Sequence, residues 1–277
     1  MLAANFTVQS AGNLAEALRL KSANSELQPL AGGTDLMVQG FKNKVLDIHR
    51  LDELRGIDVT DSGELKIGAL TTFRDIVDSE LVQAWSPCLV EVARTIGART
   101  IQNRATIGGN IGNASPAGDS LPLLMALDSR LVVASELRGE REIPFEYLFE
   151  KYRTLNMNPD ELIVAVLIPE ITKNDHTHYR KVGARSAQAI SKVCLSGRIR
   201  IEEGVVTEAR IAYGAVGPVP MRCPSVEAAL VGSPVDPQVS RLVLGDITPM
   251  DDIRSTAEYR NRVAVNVLRA WLEYLAR

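Results

Sequence analysis

Apolar positions recur every three or four residues in several stretches of the chain, and each such stretch carries its own start signal. Asn13, with Glu16 three residues on, caps a short helix carrying Leu14, Ala17, Leu18 and Leu20. Thr72 with Asp75 opens another, and Ser86-Pro87 a longer one with Leu89, Val92, Ala93 and Ile96 on one face and Gly97 as its stop. Asp119-Ser120-Leu121-Pro122 reads as a cap followed by an apolar helix through Leu127. Further helices are expected around Val226 and Val239, and from Tyr259 onward, where Val263, Val267, Ala270, Trp271 and Tyr274 mark one apolar face. Continuous or alternating apolar runs predict a short strand before Gly32 and strands at 45–51, 64–69, 130–135, 162–169, 179–183, 193–201 and 205–214. Glu202-Glu203-Gly204 joins the last two as a hairpin, whereas 138–142, rich in arginine and glutamate, reads as a turn.

Helices and strands alternate without an internal repeat, which leaves both α/β and α+β open. The polar segment ITKNDHTH at 171–178 interrupts the pattern, and the domain boundary is expected there, as a solvated linker. His176 and His178 would face one side of a strand, but with no third ligand nearby a metal site is not the better reading. His49, alone in a strand, reads as structural.

Length and composition narrow the function more than the fold. A chain of 277 residues, 45% hydrophobic, can bury a sizeable core as one large domain or two. A net charge of −3, a pI near 5.8 and no run of lysines or arginines argue against nucleic acid or an anionic membrane as principal partner. The longest apolar run, 162–168, is too short to cross a bilayer. The opening MLAANFTVQS has neither the basic nor the long apolar region of a leader, so a cytoplasmic location is expected. Cys88, Cys194 and Cys223 are scattered, as reduced thiols are, and provide no spacing for zinc or an iron–sulfur cluster. Metal centres, if the reaction needs them, would sit on other chains.

Candidate chemistry concentrates in two glycine-rich stretches. RATIGGNIGNASPAGDSLP, from Arg104, sets Gly108, Gly109, Gly112 and Gly118 among Thr106, Asn110, Asn113 and Ser115, and QPLAGGTDL, from Gln28, sets Gly32-Gly33-Thr34-Asp35 after a short strand. Glycine accepts positive φ and close approach, so each stretch predicts a nest of backbone amides for an anion. Two nests suggest the two phosphates of a dinucleotide. Neither fits the common recipes: Ile107 stands where a G-x-G-x-x-G pattern needs its first glycine, and no G-K-[ST] is present.

AGGTDL at 31–36 and TIGGN at 106–110, followed by NASPAGDSLP, resemble the two flavin-binding motifs of the FAD-carrying subunit of molybdenum hydroxylases, with bacterial xanthine dehydrogenase FAD subunits the nearest likeness. VLDIHRLDELRGI, LKIGALTTFRDI, YRKVGARSAQAISKV and IAYGAVGPVPMRC extend the resemblance over nearly the whole chain. It implies an α+β fold: two α+β subdomains clasping FAD, about 1–56 and 57–170, in the manner of the vanillyl-alcohol-oxidase flavoproteins, then a C-terminal α+β domain at 176–277 with an antiparallel sheet. It also implies non-covalent FAD held by Pro29, Leu30, Ala31, Gly32, Gly33, Thr34, Asp35 and Leu36, and by Thr106, Ile107, Gly108, Gly109 and Asn110. Asp119 matches a carboxylate on the ribose or adenine side, Lys181 a lysine beside the flavin, and Ile96 and Ile163 apolar residues lining the ring pocket. The bland readings are a helix cap, a surface lysine and two core isoleucines.

The implied partners are a small iron–sulfur subunit with [2Fe-2S] clusters and a large molybdenum subunit that oxidises a purine or related heterocycle, with NAD as the acceptor. No catalytic acid or base stands out in this chain. The residues alone leave open a self-contained flavin oxidoreductase and a non-redox dinucleotide-binding subunit. The cysteine-rich insertion found in relatives that reduce aromatic thioesters is absent.

Overall fold

The computed structural model describes residues 7–40, 44–186 and 188–277. The leader reading rests partly on residues 1–6, which lie outside them. In the first unit Asn13 accepts the Glu16 N–H at 2.8 Å and starts α1 (Leu14–Ala23), as expected. Strands β1 (Thr7–Ser10), β2 (Gln28–Leu30) and β3 (Lys44–Asp47) pair in parallel in the order β1-β3-β2, with α1 and the short α2 (Leu36–Gln39) in the connections. The expected strand at 45–51 is thus shorter, because Asp47 turns the chain by accepting the His49 N–H.

In the second unit β4 (Ile57–Val59) and β5 (Leu65–Gly68) precede six helices: α3 (Phe73–Asp78), α4 (Glu80–Trp85), α5 (Pro87–Thr95), α6 (Arg99–Gln102), α7 (Ile107–Asn113) and α8 (Ser120–Ala126). Thr72 and Asp75 form the capping box that starts α3. Strands β6 (Arg130–Ser135), β7 (Gly139–Pro144) and β10 (Leu162–Ile168) complete an antiparallel sheet ordered β4-β5-β10-β6-β7, and β8 (Phe149–Lys151) with β9 (Thr154–Leu155) forms a separate ribbon. Residues 139–142 are therefore a strand edge, with Arg138 alone of the expected turn left in one: β7 is an outer strand with only Ile143 buried, so its charged residues face water.

Strand β10 is covered on both faces, as its unbroken apolar run requires. Leu162, Val164, Ala165 and Leu167 join the core shared with α1 and β3, while Val166 and Ile168 join the core under the helices. Two neighbours, Val164 and Ala165, share a face because the pairing register with β6 shifts between Ile163 and Ala165. That irregularity turns Ile163 toward α7, where a Cβ on Gly112 would lie 3.5 Å from its Cδ1.

The third unit is an antiparallel sheet of β11 (Asp175–Val182), β12 (Val193–Glu202), β13 (Val205–Gly214) and β14 (Met221–Arg222), in that order, backed by α9 (Pro224–Leu230), α10 (Val243–Asp246) and α11 (Ala257–Leu275). Glu203 at φ 51° and Gly204 at φ 78° make the expected hairpin turn. Around Val239 the chain forms a 3-10 turn, Pro237–Leu242.

Two expectations are corrected here. Residues 175–178 belong to β11, and His178 stacks on Trp271 with ring centroids 5.0 Å apart. Burial and the neighbouring Arg180 bring its pKa down to about 4, so it is a neutral packing residue. On α11 the buried face is Arg260, Ala264, Leu268, Trp271 and Leu272, and Tyr274 is exposed. The sheet at 193–214 needs the side rotated about one residue from the expected stripe.

The second and third units share structure at one corner. Tyr179, Cys194 and Ala212 pack into the core of the second. Asp128, which follows α8 at φ 52°, meets Arg198 and Arg210 at 2.9 Å, and Glu208 meets Arg198 at 2.7 Å.

Candidate functional site

A cleft of about 1300 Å³ runs between the three units and is lined by both glycine motifs. The first behaves as its composition predicts. Strand β2 ends at Leu30, Gly33 takes φ 75°, and α2 begins only at Leu36. Among the described residues no protein acceptor meets the amide N–H groups from Gly32 to Leu36. A run of unpaired amides at a cleft wall needs an outside acceptor, and an anion is the natural one. Gly32 has a second reason to lack a side chain, since its Cβ would fall 1.8 Å from the Arg104 carbonyl oxygen. The two motifs are packed back to back at that point.

The second motif is not a nest. Thr106 caps α7, and the amides of its first turn are used inside the protein: Ile107 donates to Thr71 O, Gly108 to Ala69 O, Gly109 to Thr106 Oγ1 and Asn110 to Thr106 O, at 2.9–3.0 Å. None of Gly108, Gly109, Gly112 and Gly118 has positive φ. The glycines instead let α7 approach its neighbours, for a Cβ on Gly108 would meet Ala69 O at 2.6 Å. What the motif presents to the cleft is the side-chain-free face of Gly108, Gly109 and Gly112, with Thr106 and Asn110 beside it. Asn110 Oδ1 accepts the Ser120 hydroxyl at 2.6 Å, which leaves its amide nitrogen available.

Of the other expected site residues, Pro29, Ala31, Gly33, Thr34, Asp35, Leu36, Ile96, Asp119, Ile163 and Lys181 line the cleft. Leu30 stands behind the wall in β2, and Ile107 is fully buried in the core. Asp119 and Lys181 meet directly: Lys181 Nζ donates to Asp119 Oδ2 at 2.6 Å and to Thr95 O at 3.1 Å. A cofactor touching both therefore does so in one place, and the pair stands next to Ile96, which follows Thr95. Asp119 makes no side-chain cap for α8, which corrects the bland reading of that residue. Its other oxygen accepts the Ser191 hydroxyl. Burial pushes the Asp119 carboxyl up, and the Lys181 ammonium and Ser191 hydroxyl pull it back only in part.

Three stretches of the wall carried no motif. Arg153, at φ 54° in the turn between β8 and β9, donates to Asn113 Oδ1 at 2.6 Å and Gln39 Oε1 at 3.1 Å, tying the first unit to the second. Glu161 is held by Arg141 at 2.7 Å and by Asn158; burial raises its carboxyl, but these partners outweigh burial and leave it at about 2. From the third unit, Arg260 donates to Met250 O and to Asp252 Oδ1 at 2.7 and 2.8 Å, steadying a loop that reaches the cleft. Only Arg260 had a visible signal, as a charge in register with the buried face of an amphipathic helix.

Unpaired amides, a glycine-faced helix and an apolar end flanked by an ion pair define an α+β protein built to hold a long phosphate-bearing ligand between its units. Residues 4–171 match the family described as FAD binding domain in molybdopterin dehydrogenase, and residues 178–275 match the CO dehydrogenase flavoprotein C-terminal domain. The chain belongs to this family of FAD-binding subunits of molybdenum hydroxylases, as its two motifs suggested. The xanthine dehydrogenase FAD-binding subunit of Escherichia coli O157:H7 is 33% identical over 261 residues, covering 90% of this chain and 89% of that one. The glyceraldehyde dehydrogenase medium chain of Sulfolobus acidocaldarius is 31% identical over 280 residues, covering 97% of this chain and 98% of that one. A solved structure of carbon monoxide dehydrogenase from Hydrogenophaga pseudoflava contains a chain that superimposes with a TM-score of 0.93 at 27% identity, over 99% of this chain and 98% of the other. The α+β fold with an antiparallel C-terminal sheet agrees with that likeness.

Proposed function

We propose that the chain holds FAD non-covalently in the cleft and relays electrons from iron–sulfur clusters of a small partner to NAD, a purine or related heterocycle being oxidised on a large molybdenum partner. The observation that carries the reading is the row of amides from Gly32 to Leu36 that meet no protein acceptor among the described residues, facing a cleft that also receives Thr106, Gly109, Asn110, Asp119, Ile96, Ile163 and Lys181. FAD supplies the two-electron chemistry, and this chain's residues bind and orient it. Free amides suit the pyrophosphate, the glycine face of α7 admits the ligand without a side chain in the way, and Ile96 and Ile163 suit an apolar ring. No histidine or cysteine lines the cleft among the described residues, in keeping with a cofactor that is not covalently attached.

The division of the chain follows the same reading: an FAD-binding domain at 1–170, with subdomains about 1–56 and 57–170, and a C-terminal domain at 176–277. Among the described residues no helix is long and apolar enough to cross a membrane, and the three cysteines are free and buried, which supports a cytoplasmic setting. The purified chain should be yellow and release its chromophore on acid precipitation. In complex with both partners, substrate should bleach the flavin and NAD should restore its colour, whereas the isolated chain should leave substrate untouched. Turnover by the isolated chain, or colour that stays with the acid pellet, would overturn the reading.

A further inference from the structure

The acidic and basic groups at the apolar end of the cleft are not independent. Asp119 has both oxygens engaged, Oδ2 by Lys181 Nζ at 2.6 Å and Oδ1 by the Ser191 hydroxyl, in a setting where the side chains of Asp119 and Lys181 are only 8% and 13% exposed. Lys181 is fixed from the far side by the Thr95 carbonyl, at the C-terminal end of α5, a position that favours a cation. The three side chains come from different places, the residue before α8, strand β11 and the loop before β12, and all three line the cleft beside Ile96.

We propose that Ser191 is a positioning residue that holds Asp119 against Lys181, so that the pair faces the cofactor as one neutral, oriented unit rather than as a lone cation tuning it. Ser191 fixes one carboxylate oxygen and thereby keeps the other on the ammonium. This inference rests on FAD occupying the cleft with its ring end at Ile96 and Ile163. Adding electrons to the ring adds negative charge there, so uncovering either member of the pair moves the reduction equilibrium, in opposite senses. A lone lysine would give a different pattern, in which removing the carboxylate matters little.

The test is a redox titration of bound FAD in the full chain at pH 8.5. Asp119→Asn keeps the shape and removes the charge; its oxygen can still accept from Lys181, while its amide nitrogen donates to the Ser191 oxygen. It should raise the midpoint by a tenfold or greater change in the reduction equilibrium, about 30 mV for two electrons. Lys181→Met should lower it comparably, and the double variant, which carries neither charge, should return close to the parent because the two opposite shifts cancel. Ser191→Ala should shift the midpoint in the sense of Asp119→Asn but less, and Ser191→Thr should restore it. Unchanged midpoints in Asp119→Asn and Ser191→Ala, or a double variant that stays as low as Lys181→Met alone, would overturn the inference while leaving FAD binding intact. A parent chain that takes up no FAD at all would overturn the functional reading itself.

Discussion

A methyl group at position 32 would lie 1.8 Å from the Arg104 carbonyl oxygen, and backbone, unlike a side chain, has nowhere to turn. Gly32→Ala should therefore separate the two motifs, lose FAD and lower stability by about 1–3 kcal/mol, read by flavin absorbance and thermal unfolding. At Gly109 the nearest obstacle is Thr106 Oγ1 at 2.8 Å, the hydroxyl that caps the helix. Its φ is not positive, so Gly109→Ala should keep the fold and weaken FAD binding by about tenfold, or about 1.4 kcal/mol. Glu161 gives a pH limb. Its folded value of about 2 lies below the ordinary 4.5, so its contribution is complete above about 4.5 and is lost as pH falls through about 2. That amounts to about 3 kcal/mol, and Glu161→Gln should flatten the acid side of the unfolding profile. The first motif was legible at this scale because its amides are free for a local reason, a strand ending before a left-handed glycine. The second was misread because two of its amides find their acceptors at Thr71 and Ala69, 36 and 39 residues upstream, and the other two are taken up by Thr106 once the stretch turns helical. Asp119 was singled out by its motif and does line the cleft, but its partner Lys181 is 62 positions away and no spacing rule pairs them.

Elements with their own start signals came through well. Asn13 and the Thr72–Asp75 box act where the sequence put them, since a cap is decided within four residues. Strand β7 did not, because a solvent-facing edge strand with charges at most positions has the composition of a turn. The face of α11 was read in part: Val263, Val267 and Trp271 do pack on the core, Gly197 leaving room on β12 for the Trp271 ring, whereas Ala270 and Tyr274 turn out to solvent. Denaturant unfolding separates the two. Leu268→Ala should cost about 2–5 kcal/mol, whereas Tyr274→Ala, 72% exposed, should stay within about 0.5 kcal/mol of the parent.

At the scale of the molecule, the charged corner around Asp128 fastens the end of α8 to the third unit's sheet. Asp128→Asn tolerates the same left-handed backbone but removes the charge that two arginines face at 2.9 Å. It should lower stability by about 1–3 kcal/mol in thermal unfolding, with the difference narrowing at high salt because the pairs are partly exposed. The sheet order β4-β5-β10-β6-β7 has a different kind of consequence, one of timing. The strand in the middle of the sheet is the last of the five to be synthesised, at 162–168, so β5 and β6 wait for it across a gap that nothing earlier in the chain fills. A nascent chain stopped short of residue 162 would carry two open apolar edges and half a cleft, ready to pair with whatever strand arrives first.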